Sequence, residues 1–260
     1  MFCKEQDFLY ICDIPIQKRS AMKLRTAFSL LAAMIFCAAC SDSSDAPKPI
    51  IIPEGEIVTQ TRTFDIASFE AALREGITYG FLTVENGMEV FFDEELPDGT
   101  IEVTTHENIQ PYVDVLVSSF DPAVRIRLNY DYEYDHASVK LRMSPNLFCA
   151  FDTMGGSNLI FKDEVAKRNM SFLLSTNSYV ELSGSCEIFS VILNGGTMNA
   201  TNMNVAKAHM SLMNDAKIST INISESLTGY LTSGSKLYYK GTPAEMDIQV
   251  SDGAELIKCD

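Results

Sequence analysis

A repeat of about 19 residues constrains this chain more than any other feature of its sequence. Six segments from residue 147 onward share apolar residues followed by a small polar turn; they are LFCAFDTMGG, MSFLLSTNS, FSVILNGGT, HMSLMNDAK, LTGYLTSGSK and MDIQVSDGA. Alignment on the turns places six residues in one column, which are Asp152, Ser175, Asn194, Asn214, Ser233 and Ser251. The last five are 18 to 20 residues apart.

Apolar residues precede each turn with a period of two, which is typical of a strand with one buried face. In this alignment the residues just before the turn are Phe151, Leu174, Leu193, Met213, Thr232 and Val250. Such a repeat cannot bury its apolar face alone, whereas stacked repeats bury it between them. The sequence therefore predicts an all-β fold, a parallel β-helix (solenoid) with coils of about 19 residues. The alignment places His209 with Met170 and Phe189, at an inward or corner position.

The stretch SGSKLYYKGTP, residues 233–243, is also a candidate phosphate-binding loop because its glycine stands near two lysines. A phosphate-binding loop needs Gly-Lys, then Ser or Thr, then a helix. This sequence has no Gly-Lys pair, and a strand pattern follows the glycine. We interpret Ser233–Ser235 as the turn of one coil, with Leu237 and Tyr239 facing inward. The turn residues Asn194 and Asn214 are predicted to form a hydrogen-bonded ladder between coils.

Residues 22–39 have the pattern of a lipoprotein signal peptide. Lys23 and Arg25 precede an apolar run at 27–36 that is too short to span a bilayer. The run ends in the sequence CAAC, which resembles the lipobox of bacterial lipoproteins. This resemblance implies cleavage before Cys40 and lipidation of Cys40.

The segments on either side of the signal peptide have different compositions. Residues 1–21 match no targeting segment, so we expect translation to start at Met22 and treat 1–21 as an upstream extension. Residues 40–53 are rich in Ser, Asp and Pro, which predicts a flexible tether. The tether leads to a domain at 54–260.

Residues 54–260 resemble a known family. The resemblance rests on the closing stretch GSKLYYKGTPAEMDIQVSDGAELIK, the run TIEVTTHENIQPYVDVLV and the first stretch EGEIVTQTRTFDIASFEAALREGITYGFLTV. These look like the head GIN domain of putative auto-transporter adhesins. The resemblance implies a right-handed β-helix in a Bacteroidetes-type lipoprotein of the outer membrane, with no catalytic residues and no cofactor to transfer. The family has a strand where FEAALRE stands, so we expect a strand there.

The charge of the chain limits its partners. Asp and Glu number 35 against 20 Lys and Arg, which gives a net charge of -15. This excess disfavours nucleic acid and anionic membrane surfaces, so we expect membrane contact through the lipid anchor only. Acidic residues after Cys40 resemble the surface-export signal of Bacteroidetes lipoproteins. A surface-exposed and a periplasm-facing orientation are both open.

The candidate binding residues lie in RIRLNYDYEYDH, residues 125–136. Alternation predicts one strand with Asp131, Glu133 and Asp135 on one face, and with Tyr130, Tyr132, Tyr134 and His136 on the other. Three carboxylates are suited to Ca²⁺, and tyrosines are suited to stacking on sugar rings. A solvated acidic strand is the alternative. We select Asp131, Tyr132, Glu133, Tyr134 and Asp135 as ligand-binding candidates and predict no metal site.

Three functions are compatible with these patterns. We favour a non-catalytic adhesion module of the cell envelope that contacts glycans or cell-surface proteins. A self-assembling scaffold is an alternative, because terminal coils have open edges that favour homo-oligomers. A polysaccharide-degrading enzyme needs paired carboxylates on neighbouring coils, whereas the acids of the repeats fall in different columns. Cys149, Cys186 and Cys259 form no CxxC pair, so we expect buried thiols, with one disulfide as the alternative.

Overall fold

Strands dominate the part of the chain that the computed structural model describes, which is residues 47–74, 80–118 and 121–260. The chain is 57% strand and 4% helix, so the all-β prediction is confirmed. One helix, α1, spans Ala67–Arg74. The strands are β1 (Ile50–Ile51), β2 (Ile57–Thr63), β3 (Phe81–Val84), β4 (Glu89–Phe92), β5 (Thr100–His106), β6 (Val113–Val117), β7 (Ala123–Leu128), β8 (Glu133–Tyr134), β9 (Lys140–Met143), β10 (Ala150–Thr153), β11 (Asn158–Phe161), β12 (Val165–Leu174), β13 (Tyr179–Glu181), β14 (Gly184–Asn194), β15 (Thr197–Asn199), β16 (Met203–Met213), β17 (Lys217–Leu231), β18 (Lys236–Lys240), β19 (Glu245–Val250) and β20 (Glu255–Lys258).

Two stacks of parallel strands form the solenoid. The first stack runs β7–β3–β10–β12–β14–β16–β17–β19, and the second runs β9–β4–β11–β13–β15–β17–β18–β20. The long strands β12, β14, β16 and β17 also pair through their first residues, which adds a third face. The predicted β-solenoid with coils of about 19 residues is therefore confirmed.

The order of coils in space differs from their order in the chain. Strand β3 lies between β7 and β10, and β4 lies between β9 and β11. The first coil of the stack is therefore formed by residues that come later in the sequence than those of the second coil. The repeat starts at β10, after this crossover, which explains why sequence periodicity begins only near residue 147.

The strand register corrects half of the sequence alignment. Buried Thr153, Leu174, Leu193, Leu212 and Leu231 stack in one column, and Val250 of β19 ends this column as an exposed side chain. The alignment placed Phe151, Met213 and Thr232 in that column, which is wrong by one or two positions. It used the small polar turn residues as markers, whereas the register follows the buried side chains.

The turns explain why those markers shift. Most turns carry two consecutive residues with positive φ, a conformation that favours Gly, Asn and Asp. The pairs are Asn86-Gly87, Gly155-Gly156, Gly195-Gly196, Asn214-Asp215, Ser233-Gly234 and Asp252-Gly253. The polar residue of the motif therefore stands inside the turn in some coils and before it in others. Strand β18 begins at Lys236, with one residue between it and Ser233-Gly234, and Leu237 and Tyr239 are buried as predicted.

Helix α1 replaces the strand expected at FEAALRE, so that prediction is wrong. The Asp65 carboxylate accepts a hydrogen bond from the Ala67 N–H at 2.9 Å and begins the helix. Ala, Glu, Leu and Arg favour a helix, and Phe69 provides its buried anchor. The Phe69 ring is 2% exposed and lies 5.7 Å from the ring of Phe148.

The solenoid is closed at its first coil by antiparallel strands. Strand β6 pairs with β7, while β5 pairs with β9 and β2 pairs with β5. The buried amide of Gln110 donates to the carbonyl oxygens of Val58 and Val103 at 3.0 and 2.8 Å. Arg62 donates to the carbonyl oxygens of Gln110 and Val113. This polar network joins the antiparallel strands over the end of the apolar core.

Of two predictions about side chains on neighbouring coils, one is confirmed and one is wrong. The predicted ladder is confirmed, because the Asn214 amide donates to Asn194 Oδ1 at 2.6 Å. The inward prediction for His209 is wrong, since His209 is exposed and its Nδ1 lies 3.0 Å from Thr228 Oγ1. The buried position belongs to Ala208.

Cys149 and Cys186 are buried, Cys259 is half-buried, and no disulfide joins any two of them. Burial raises the pKa of the Cys186 thiol to about 11. No helix among the described residues has both the length and the apolar character to cross a bilayer.

Candidate functional site

The predicted strand at 125–136 is interrupted, which corrects the geometry of the candidate site. Strand β7 ends at Leu128, whose N–H donates to Asn86 Oδ1 at 2.9 Å. Asn129 then forms a turn, because its side-chain oxygen accepts from the Asp131 N–H at 2.9 Å. Chain direction therefore changes between β7 and β8, and the carboxylates of this segment do not share one strand face.

Strand β8 is held by the segment that leads into the solenoid. The Glu133 N–H donates to the Pro49 carbonyl and the Asp135 N–H donates to the Ile51 carbonyl, each at 3.0 Å. Strands β1 and β8 form a separate two-stranded parallel sheet. The expected tether, residues 40–53, therefore contains a strand, because Ile50–Ile51 pair with Glu133–Tyr134.

Three tyrosines meet beside this sheet. The ring of Tyr112 lies 4.8 Å from that of Tyr132 and 6.1 Å from that of Tyr134, measured between centroids. The Tyr134 hydroxyl donates to the Asn129 carbonyl at 3.0 Å. Burial, and then the negative charge of Asp114, raises the pKa of Tyr134 to about 12. The phenol therefore stays a neutral donor at physiological pH.

An open cavity of about 490 Å³ lies against the tyrosines. Its lining residues are Asn86, Leu128, Tyr132, Glu133, Tyr134, His136 and Ala137. Three of the five candidates, Tyr132, Glu133 and Tyr134, therefore line one cavity. Asp131 and Asp135 are exposed and lie outside the lining.

The carboxylates do not form the Ca²⁺ site that their spacing suggested. Among residues 47–74, 80–118 and 121–260, no group of three or more His, Cys, Asp or Glu side chains is placed to hold a metal ion. The Asp135 carboxylate instead lies 3.4 Å from Nε2 of His136. His136 has a positive φ of 54°, which turns the chain after β8.

Tyr130 belongs to a different cluster from the other tyrosines of the segment. Its ring lies 4.0 Å from the guanidinium of Arg127, and its hydroxyl donates to the Glu85 carboxylate. Glu85 is buried and lies 3.5 Å from Arg125 Nε. Burial, followed by the hydrogen bond to Glu85, raises the pKa of Tyr130. This cluster packs on the solenoid and does not line the cavity.

Sequence reasoning missed Tyr112 and Asn86. Tyr112 ends the 3₁₀ turn Gln110–Tyr112, and its carbonyl accepts from the Asn129 N–H at 2.9 Å. It lies about 20 residues before Tyr132 in the chain, so no local alternation connects the two. Asn86 carries a signal in its Asn-Gly pair, which marks a turn, but the pair does not show that its side chain reaches Leu128.

The site therefore combines flat aromatic surfaces with hydrogen-bonding groups. Tyr132 and Tyr134 contribute aromatic side chains to the lining, and Glu133 and Asn86 contribute polar side chains. Aromatic side chains beside a few convergent polar groups are one feature of ligand-binding pockets. Glu133 is the one carboxylate among the lining residues.

These features define a parallel β-solenoid that is closed at one end and carries an aromatic cavity at its first coil. The chain belongs to the family described as putative auto-transporter adhesin, head GIN domain, whose model matches residues 78–243. The resemblance drawn from the sequence is confirmed. The matched range lies within residues 54–260, to which that resemblance extended.

Solved structures show the same fold. The chain is similar to putative adhesins from Parabacteroides merdae (16% identity, TM-score 0.52), Bacteroides fragilis (11%, 0.59) and Parabacteroides distasonis (14%, 0.54). The similarity covers 82%, 80% and 80% of this chain and 100% of each of the other chains. At these identities the similarity establishes the fold alone. No curated protein matches the chain.

Proposed function

We propose that this protein is a lipid-anchored, non-catalytic module of the cell envelope that binds glycans or other surface partners through the cavity at β8. Membership in a family of putative adhesins supports a surface-contact role in general. The observation that carries the proposal is the packing of Tyr112, Tyr132 and Tyr134 beside Glu133. Aromatic rings with polar tips suit sugars, which have apolar C–H faces and hydroxyl edges.

The carboxylates support binding over hydrolysis. Glycoside hydrolysis requires two carboxyl groups that flank the scissile bond. The cavity lining contains Glu133 but no second Asp or Glu. The buried carboxylate of Glu85 is engaged by Arg125 and Tyr130 and lies outside the lining.

The anchoring part of the proposal concerns Cys40, which lies outside the described residues. The lipobox pattern supports its acylation. Strand β1, which lies within the predicted tether of residues 40–53, pairs with β8 beside the first coil. The protein then faces outward from the outer membrane, with the periplasm-facing orientation as the alternative.

The experiment is a glycan array probed with the full chain, followed by titration of any glycan that binds. Tyr132→Ala should weaken the affinity about tenfold or more, which corresponds to about 1.4 kcal/mol of lost ring contact. Tyr238→Ala is the matched control, because Tyr238 lies on β18 and contacts Lys217. Equal binding by the Tyr132 variant and the unmodified protein would contradict this site.

A further inference from the structure

The last coil of the solenoid exposes side chains that every preceding coil buries. Met246 and Val250 of β19 are in register with Leu227 and Leu231 of β17. Leu227 is 0% exposed and Leu231 is 1% exposed, whereas Met246 is 47% exposed and Val250 is 44% exposed. Ile248, between them, is only partly buried against the core. The apolar column thus ends at an uncovered surface.

The backbone at this end is uncovered as well. Within the described ranges, β19 pairs only with β17 and β20 pairs only with β18. The outer edge of β19 therefore presents backbone N–H and C=O groups in the arrangement that accepts another strand. An apolar column and an open edge in the same strand favour strand pairing over a loose apolar contact.

The two ends of the solenoid are not complementary to each other. Antiparallel strands β2, β5 and β6 close the first coil, and Arg62 and Gln110 bridge them. A head-to-tail stack would have to place the apolar column of β19 against this polar network. Two last coils, in contrast, present identical surfaces, and a contact between identical surfaces is two-fold symmetric and closed.

The sequence of β19 is self-complementary about Ile248. An antiparallel pair of two β19 strands with its two-fold axis at Ile248 places Met246 opposite Val250. The same pairing places Asp247 opposite Gln249, and Glu245 opposite Ser251. Residues directly opposite each other lie on the same face of an antiparallel pair. Apolar side chains therefore meet apolar side chains, and no carboxylate of β19 opposes another carboxylate.

We propose that the last coil is a homodimer interface in which β19 pairs with β19 of a second copy about a two-fold axis at Ile248. The chain enters the solenoid at β1, which pairs with β8 beside the first coil. Strands β7 and β19 are seven strand spacings apart, or about 34 Å. The two entering segments therefore lie at opposite ends of the dimer. Where the proposed anchoring holds, this dimer joins copies on two facing surfaces.

The first test measures association of the full chain in mild detergent by sedimentation velocity over a range of concentrations. The unmodified protein should show a reversible monomer–dimer equilibrium. Met246→Glu and Val250→Lys should each raise the dissociation constant about tenfold or more, since each places one charge against an apolar partner. The combined variant should restore dimerisation, because the new glutamate of each copy then faces the new lysine of the other.

Two controls separate pairing from general effects on the surface. Leu173→Glu alters an apolar residue that is 46% exposed but lies on β12, in the middle of the solenoid, and should leave the dimer unchanged. In a Cys259→Ser background, Ile248→Cys should form a covalent dimer on oxidation, because this side chain faces itself across the axis. Val250→Cys should not, because it faces Met246.

A monomer at every concentration, or a double variant that is no better than its single variants, overturns the proposal. The edge of β19 would then be a surface for a strand of another protein. Cys40→Ala separates this proposal from the anchoring. If Cys40→Ala leaves the membrane fraction but still forms the dimer, the interface is supported independently of the anchor. If the unmodified protein stays in the membrane fraction but is a monomer in detergent, the interface is refuted and the anchoring is not.

Discussion

At the residue scale, Asp152 is a buried acid whose charge opposes folding. Burial and the nearby Glu85 raise its pKa from 3.8 to about 6, against a smaller opposite effect of Arg125. Between these two pH values the folded protein holds a proton that the unfolded chain has lost. Stability contributed by this group is therefore complete below pH 3.8 and is lost as the pH rises to about 6.

Asp152→Asn keeps the shape of the side chain and removes the charge. We expect the free energy of unfolding at pH 7.5 to rise by about 1–2 kcal/mol, within the upper bound of roughly 3 kcal/mol that the pKa implies. Urea denaturation at pH 4.5 and 7.5 measures the free energy of unfolding of the variant and of the unmodified protein. The difference between the two proteins should be smaller at pH 4.5. Asp131→Asn, at a residue in water, should show no such gain. A loss of stability at pH 7.5 would mean that Arg125 outweighs burial.

Gly229 is a second residue whose environment decides its identity. It lies in β17 with a φ of 125°, and a Cβ there would lie 2.0 Å from the Met210 carbonyl oxygen. Gly229→Ala should therefore cost about 3 kcal/mol or more, because the neighbouring coil must move. Gly253→Ala is the control, since its φ is 74° but nothing lies within 4 Å. The free energy of unfolding of Gly253→Ala, measured by urea denaturation, should fall by only about 1 kcal/mol, because only the backbone conformation disfavours alanine there. Equal losses at both positions would refute the steric explanation.

At the element scale, polar ladders couple neighbouring coils. The Asn214 amide donates to Asn194, and a second ladder joins Asn222 to Asn204 at 2.9 Å. A double-mutant cycle of Asn194→Ala and Asn214→Ala should give a coupling energy of about 0.5–1 kcal/mol. Each single variant already removes the hydrogen bond between the two side chains, so the double variant loses less stability than the sum of the single losses. Asn214 has a φ of 55°, so alanine at this position has a conformational cost. This cost is the same with and without Asn194→Ala and therefore cancels in the coupling energy. A cycle of Asn194→Ala with Asn222→Ala should give a value near zero.

The elements also show how far local sequence determines this fold. Alternating apolar residues predict that strands exist and repeat, because burial of one face requires a period of two. They do not define the register of Leu212 and Leu231, because Met213 and Thr232 border the turns in the same way. Prediction of helix α1 would have required two further facts, namely that Asp65 caps the helix and that Phe69 packs near Phe148. The contact of Phe69 with Phe148 is tertiary, so propensity alone does not decide between helix and strand here.

The candidate site shows the same limit. Tyr132, Glu133 and Tyr134 were identified because acids and aromatics alternate, and they do line one cavity. The alternation implied a single strand, whereas Asn129 turns the chain and separates Tyr130 from the other two. Tyr112 and the strand β1 reach the site from other parts of the chain. Asn86 reaches Leu128 because β3 pairs with β7 in the crossover of the first two coils, and no sequence periodicity indicates this crossover.

At the scale of the whole molecule, the two ends of the solenoid have different roles in our proposals. The first coil carries the tyrosine cavity and receives the chain at β1, while the last coil presents the edge of β19. A tether at one end and an open edge at the other suit a module that projects its last coil away from a membrane. This arrangement depends on the modification of Cys40 and on the side of the membrane that the protein faces.

Protease treatment of intact cells tests both points together. We expect externally added protease to remove the domain from cells that make the unmodified protein, while periplasmic marker proteins survive. Cys40→Ala should shift the chain out of the membrane fraction, because acylation supplies the membrane affinity that an acidic chain lacks. If the domain survives until the outer membrane is permeabilised, the protein faces the periplasm. The cavity and the β19 edge would then meet partners within the envelope.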